Sequence, residues 1–152
     1  MGRLLSRRGR KRRVLYFPPH HLFGCIDKSL FVTFGGDMEI ITFPWLDSRL
    51  SPNKRIDRRA LIGAKRDAKL LAMSLTWDSK IAVIETDLQL KITFCPPDKR
   101  RRDLDNLYAT FKAYQDGIFE ALALDDCLID RVILQRGELV KNGCVIVELK
   151  EA

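Results

Sequence analysis

Hydrophobic and polar residues change rhythm several times along this chain, and each change marks an element. Met38–Phe43 (MEIITF) is β-branched and aromatic between glycine and proline, which predicts a strand. Pro44–Asn53 (PWLDSRLSPN) is dense in turn formers and predicts a loop. Across Ile56–Thr76, Leu61, Ala64, Ala68, Leu71 and Leu75 recur at helical spacing. Arg58, Lys65 and Lys69 share another face of that helix, flanked by Arg59 and Arg66. Asp87–Phe94 (DLQLKITF) alternates as a half-buried strand does, and Pro96–Arg102 (PPDKRRR) reads as a basic loop. Asp105–Leu124 predicts a second helix, with Leu107, Phe111, Tyr114, Ile118 and Leu122 as its buried stripe and Asp125-Asp126 as its end. Arg131–Arg136 and Gly143–Leu149 predict two closing strands, joined by a turn near Gly137 or Asn142-Gly143. The order β-α-β-α-β-β makes this an α/β (α+β) fold, a mixed sheet with two principal helices.

The chain has 152 residues, enough for one domain that buries a core without staples. It has 46% hydrophobic and 31% charged residues, which excludes disorder over most of its length. No run of about 18 apolar residues predicts a membrane span. The net charge of +7 belongs to the tail: residues 1–13 hold seven Lys/Arg and no acid, so the rest of the chain is neutral. Nucleic-acid binding therefore has to be argued from local clusters, not from overall charge.

Residues 1–37 read as an N-terminal extension to a domain spanning 38–152. Three readings compete for it. A basic start before an apolar stretch suggests a signal peptide, but Pro18-Pro19-His20-His21 interrupts the stretch and Asp27 and Lys28 follow. A basic arm that grips phosphates is the second. The third is that the segment lies upstream of a natural start at Met38. Gly35-Gly36-Asp37 can be encoded by a purine-rich string resembling a bacterial ribosome-binding site, and the upstream nucleotides test this. The four cysteines, at 25, 95, 127 and 144, have no C-x-x-C spacing, and His20 and His21 are the only histidines. A structural zinc site is thus not expected; the cysteines read as reduced thiols, with Cys95 and Cys144 as small core residues, and the expected compartment is the cytoplasm.

The informative segment is RRRDLDNLYATFKAYQDGIFEALALDD, residues 100–126. Asp103 and Asp105 flank a helix start, where one Asp can serve as an N-cap and the second needs another account. At about 100° per residue, Lys112 and Asp116 each return to within roughly 20° of Asp105, on the side turned away from the buried stripe. A solvated face with an i,i+4 pair explains Lys112 and Asp116 equally well. Asp125-Asp126 could return toward Asp103 through a neighbouring strand or a partner subunit. Converging carboxylates would make an oxygen cage for Mg²⁺, costly without the metal because like charges repel. Three arginines just before Asp103 would place phosphate ligands beside it, the combination that metal-assisted phosphodiester cleavage needs.

At these residues the chain resembles the RusA family of Holliday junction resolvases, bacterial and prophage enzymes that cut four-way DNA junctions. The matching residues are PDKRRRDLDN at 97–106, K-x-x-x-D-G-I at 112–118 and LDD at 124–126, with a weaker likeness in IITFPWLDSRLSPNKR at 40–55. The resemblance implies a homodimer that binds four-way junction DNA, without a membrane or a small-molecule cofactor, and makes paired symmetric nicks in recombination and repair. Its metal would be Mg²⁺, replaceable by Mn²⁺, on Asp103, Asp105 and Asp126, with Lys112 as the catalytic lysine. The better-known resolvase has its lysine four residues after the Asp of the D-N pair. That position here is Ala109, so Lys112 would be a shifted equivalent. Arg100, Arg101 and Arg102 are candidate phosphate contacts and Arg58, Lys65 and Lys69 secondary ones, with solubility as the plain alternative. Beside the endonuclease stand two other readings, a junction-binding protein with weak or no cleavage and an unrelated protein with coincidental acids.

Overall fold

The computed structural model describes residues 38–81 and 87–151; the N-terminal extension and Cys25 lie outside the described residues. The elements are β1 (Met38–Pro44), α1 (Arg58–Asp78), β2 (Leu88–Cys95), α2 (Leu104–Leu122), β3 (Ile129–Arg136) and β4 (Cys144–Glu151). Short 3₁₀ turns stand at Ser48–Leu50 and Asp126–Leu128. The predicted order β-α-β-α-β-β is the observed one, an α+β fold.

The sheet runs β1-β4-β2-β3. β4 pairs antiparallel with both β1 and β2, while β2 and β3 are parallel, connected by α2. The two closing strands are therefore not neighbours: β2 lies between them. Residues 137–143 instead carry the chain round the end of β2. There the backbone N–H of Gly137 donates to Phe94 and that of Val140 to Pro96, before Asn142 and Gly143 turn the chain with φ near 69°.

One face of the sheet is closed by both helices. Ile41 and Phe43 of β1, Leu88, Leu90, Ile92 and Phe94 of β2, and Val145, Val147 and Leu149 of β4 are buried beneath them. The helices meet that face with Ala64, Ala68, Ala72 and Leu75 from α1 and Phe111, Tyr114, Ile118 and Phe119 from α2. Leu61, Leu71, Leu107 and Leu122 of the predicted stripes are half-buried at the margins. Phe111 stacks on Tyr114 with centroids 5.9 Å apart, and Phe43 and Phe94 meet Phe111 edge-on. α1 begins two residues later than the hydrophobic pattern suggests, because the Asp57 carboxylate accepts from the Arg59 N–H at 2.9 Å and caps the helix there. At the helix crossing Gly117 faces the backbone of Lys69 and the side chain of Ala72; an added Cβ would stand 2.8 Å from the Ala72 Cβ.

Candidate functional site

The predicted acids occupy the two ends of α2. Its N-terminal end is set by the loop leaving β2 at Pro96-Pro97. Asp98 folds that loop: its carboxylate accepts from the Arg100 backbone N–H at 2.9 Å and pairs with the Arg102 guanidinium at 2.9 Å. The backbone bond from Arg100 and then the Arg102 contact hold the Asp98 carboxyl below its usual range. Arg102 also lies over the Trp45 ring, 5.4 Å from its centroid, and donates to the carbonyl of Arg100 at 3.1 Å. Arg136, from the end of β3, donates to the Arg102 carbonyl at 2.9 Å. These contacts leave a cavity of about 180 Å³ between Trp45, Phe94, the three arginines and Arg136, with Asp103 on its wall.

Asp103 holds the N-cap position of α2, but its carboxylate makes no side-chain capping bond. The structural role that would have accounted for it is therefore unused, and Asp103 and Asp105 both remain exposed at the positive end of the helix dipole. Of the three arginines, Arg100 and Arg101 are exposed, the Arg100 side chain by 85%, whereas Arg102 is spent on Asp98, Trp45 and the loop carbonyls.

At the other end, Lys112 and Asp116 share the exposed face that helical spacing predicts. The Lys112 Nζ stands 4.0 Å from Asp116 and 3.8 Å from Asp126. α2 is stopped by Ala123, which adopts the left-handed conformation at φ 53°. The reversal lets the Asp125 carboxylate accept from the Cys127 backbone N–H at 3.0 Å, and this bond is the main cause of its lowered pKa. Asp126 then heads the 3₁₀ turn into β3. Asp116, Glu120, Asp125, Asp126 and Lys69 border an open groove whose floor includes the buried Gln115. Ion pairs between side chains as exposed as these contribute about 0–1 kcal/mol, so Lys112 holds Asp126 loosely.

The structure thus joins Asp126 to Lys112 rather than to the Asp103/Asp105 pair. At about 1.5 Å rise per residue, Lys112 lies roughly 10 Å along α2 from Asp105. Among the described residues no group of three or more His, Cys, Asp or Glu side chains could hold a metal ion. On α1, Arg58 and Lys65 are exposed, while Lys69 is ion-paired with Glu120 of α2, which raises its pKa. Sequence reasoning passed over Trp45, Asp98 and Arg136. Asp98 could have been found, since an Asp two residues before Arg100 is the spacing of a side-chain-to-backbone turn. Arg136 could not, because only the parallel pairing of β3 with β2 brings it to the loop.

Fold and site define an α+β protein with a basic loop and scattered acids around its second helix. No family model matches the chain. Over 116 residues it is 38% identical to an uncharacterized protein of Xylella fastidiosa strain Temecula1, covering 74% of this chain and 76% of that protein. The chain belongs to the same family as that protein.

Proposed function

We propose that this protein is a Mg²⁺-dependent, structure-selective endodeoxyribonuclease that resolves four-way DNA junctions in the cytoplasm by paired symmetric nicks, serving recombination and repair. The observation that carries the reading is the N-terminal end of α2. There two exposed carboxylates, Asp103 and Asp105, stand free of capping bonds directly after a folded loop that presents Arg100 and Arg101. Arg100 and Arg101 supply charge for the phosphates of the strand. Asp103 or Asp105 can take a proton from an attacking water. Mg²⁺, with Mn²⁺ as a substitute, does not fit a single chain, because Asp103, Asp105 and Asp126 do not form one cluster there. The cofactor therefore belongs to the reading only through an assembly that unites the three.

A second reading, a junction-binding protein that cleaves weakly or not at all, is favoured by the same dispersion and by the pairing of Lys112 with Asp116 and Asp126. Incubating the full chain with a labelled four-way junction, with Mg²⁺ and separately with EDTA, divides the readings. Symmetric nicks that need Mg²⁺ support the endonuclease. A gel shift without nicks supports the binder, and neither shift nor nicks removes both.

A further inference from the structure

Cys95 closes β2 and Cys144 opens β4, and the antiparallel ladder sets the two directly opposite each other. Opposed residues of such a ladder have Cα atoms about 4.5 or 5.5 Å apart. A disulfide spans Cα separations of about 4.4–6.8 Å, so the pair stands within bridging reach as the fold is built. Both side chains lie on the face of the sheet away from the helices, because their strand neighbours Phe94 and Val145 are buried beneath the helices. Cys95 is buried, its sulfur against Gly137, where no side chain would fit, whereas Cys144 is half-buried and reaches solvent. Burial first, and then the neighbouring Cys95, push the Cys144 thiol up to about 11. Cys127 stands at the other end of the sheet, just before β3 sets out beside the start of β2.

We infer that Cys95 and Cys144 form a reversible thiol–disulfide site, oxidised by exchange with a small disulfide of the glutathione class. Packing alone accounts for a small residue at Cys95, against Gly137. It does not ask for a second thiol directly opposite, with access to solvent. In the exchange the Cys144 thiolate attacks one sulfur of the small disulfide and expels the other half as a thiolate. Cys95 then gives up its proton and attacks the Cys144 sulfur, expelling the second half. Two protein thiols and one small disulfide become one protein disulfide and two small thiols, the two protons passing to the expelled thiolates. At neutral pH Cys144 rests as the thiol, so the bridge forms slowly and only under sustained oxidation. Chains in a reducing compartment carry bridges of this transient kind.

The bridge falls at the root of the loop before α2. Pro96-Pro97 leave directly from Cys95, and Gly143, the residue before Cys144, packs on that loop: an added Cβ would stand 2.8 Å from the Pro97 Cδ and 3.0 Å from the Trp45 ring. Joining the sulfurs closes a covalent ring through α2, β3 and residues 137–143. Such a ring restricts the unfolded chain more than the folded one, so the oxidised protein is the more stable form. None of this depends on the endonuclease reading.

Intact mass of the full chain, after equilibration with equal amounts of reduced and oxidised glutathione, tests the site. The unmodified protein is expected to lose the mass of two hydrogens, with the peptides holding Cys95 and Cys144 joined, and to regain it in excess dithiothreitol. Its urea midpoint is expected to rise on oxidation. Cys95→Ala and Cys144→Ala are each expected to abolish the loss with circular dichroism unchanged. The variant carrying both Cys25→Ser and Cys127→Ser is expected to bridge as the unmodified protein does. If the alanine variants lose their circular dichroism, this double variant decides: an internal bridge upholds the site and a reduced protein overturns it. A protein that stays reduced, that carries glutathione in place of an internal bridge, that joins other cysteines, or that unfolds at lower urea once bridged would also overturn it.

Discussion

Ala123 is the residue on which the placement of Asp125 and Asp126 turns. It ends α2 in the left-handed region, where a Cβ is strained and where helices usually place glycine. Ala123→Gly is expected to stabilise the fold by up to about 1 kcal/mol, read as a rise in the urea midpoint at constant slope. Gly117 is the converse case. Its missing side chain is what lets α2 approach Lys69 and Ala72 of α1. Gly117→Ala forces the helices apart and is expected to cost roughly 1–3 kcal/mol, as overpacked cores do. Of the acids, Asp105 is the sharpest probe of function, because the helix does not depend on it for a cap. Asp105→Asn should keep junction binding and lose nicking; normal cutting by this variant would move the site elsewhere. The cap at Asp103 illustrates what a sequence conveys at this scale. Residue type and position named an N-cap, but only the structure shows its carboxylate unused.

Among the elements, the helices were readable because their apolar residues recur every three or four positions, and this period fixes a buried side without knowledge of the neighbours. Phe111, Tyr114 and Ile118 are buried as the period requires, and Asp105, Lys112 and Asp116 are exposed opposite them. Strand partners were not readable. Alternation places one face of β3 and β4 but says nothing of what lies between them, and β2 stands there by pairing parallel with β3 and antiparallel with β4, partners distant in sequence. The loop before α2 is basic in composition, yet its shape comes from one acid. Asp98 has a depressed carboxyl, so its clamp on Arg100 and Arg102 is present above the ordinary carboxylate value and is lost as pH falls through the depressed one. The indole resonance of Trp45, which packs against Arg102, is therefore expected to stay constant down to about pH 4 and shift only below it. Asp98→Asn should bring that shift to neutral pH.

For the molecule as a whole, the sequence's even balance of charge outside the tail means that the proposed DNA binding has to come from local placement of charge. Arg100 and Arg101 project from one end of α2, and Arg58 and Lys65 from α1. Junction affinity should fall steeply with salt, and replacing both Arg100 and Arg101 by alanine should lower the slope of log K against log salt by about 2. A flat response would remove the loop as a phosphate contact. No helix among the described residues is long and apolar enough to cross a membrane. The sheet order carries one more consequence, for how the protein is made. Every ladder bond of β1 is to β4, the last strand of this sheet to be synthesised, and β2 needs β4 on one side and β3 on the other. A nascent chain cut short before residue 144 leaves β1 unpaired and β2 with one flank bare, the surfaces on which partly made chains aggregate. Closure of the sheet waits for β4, so residues 144–151 must have left the ribosome before β1 finds its partner.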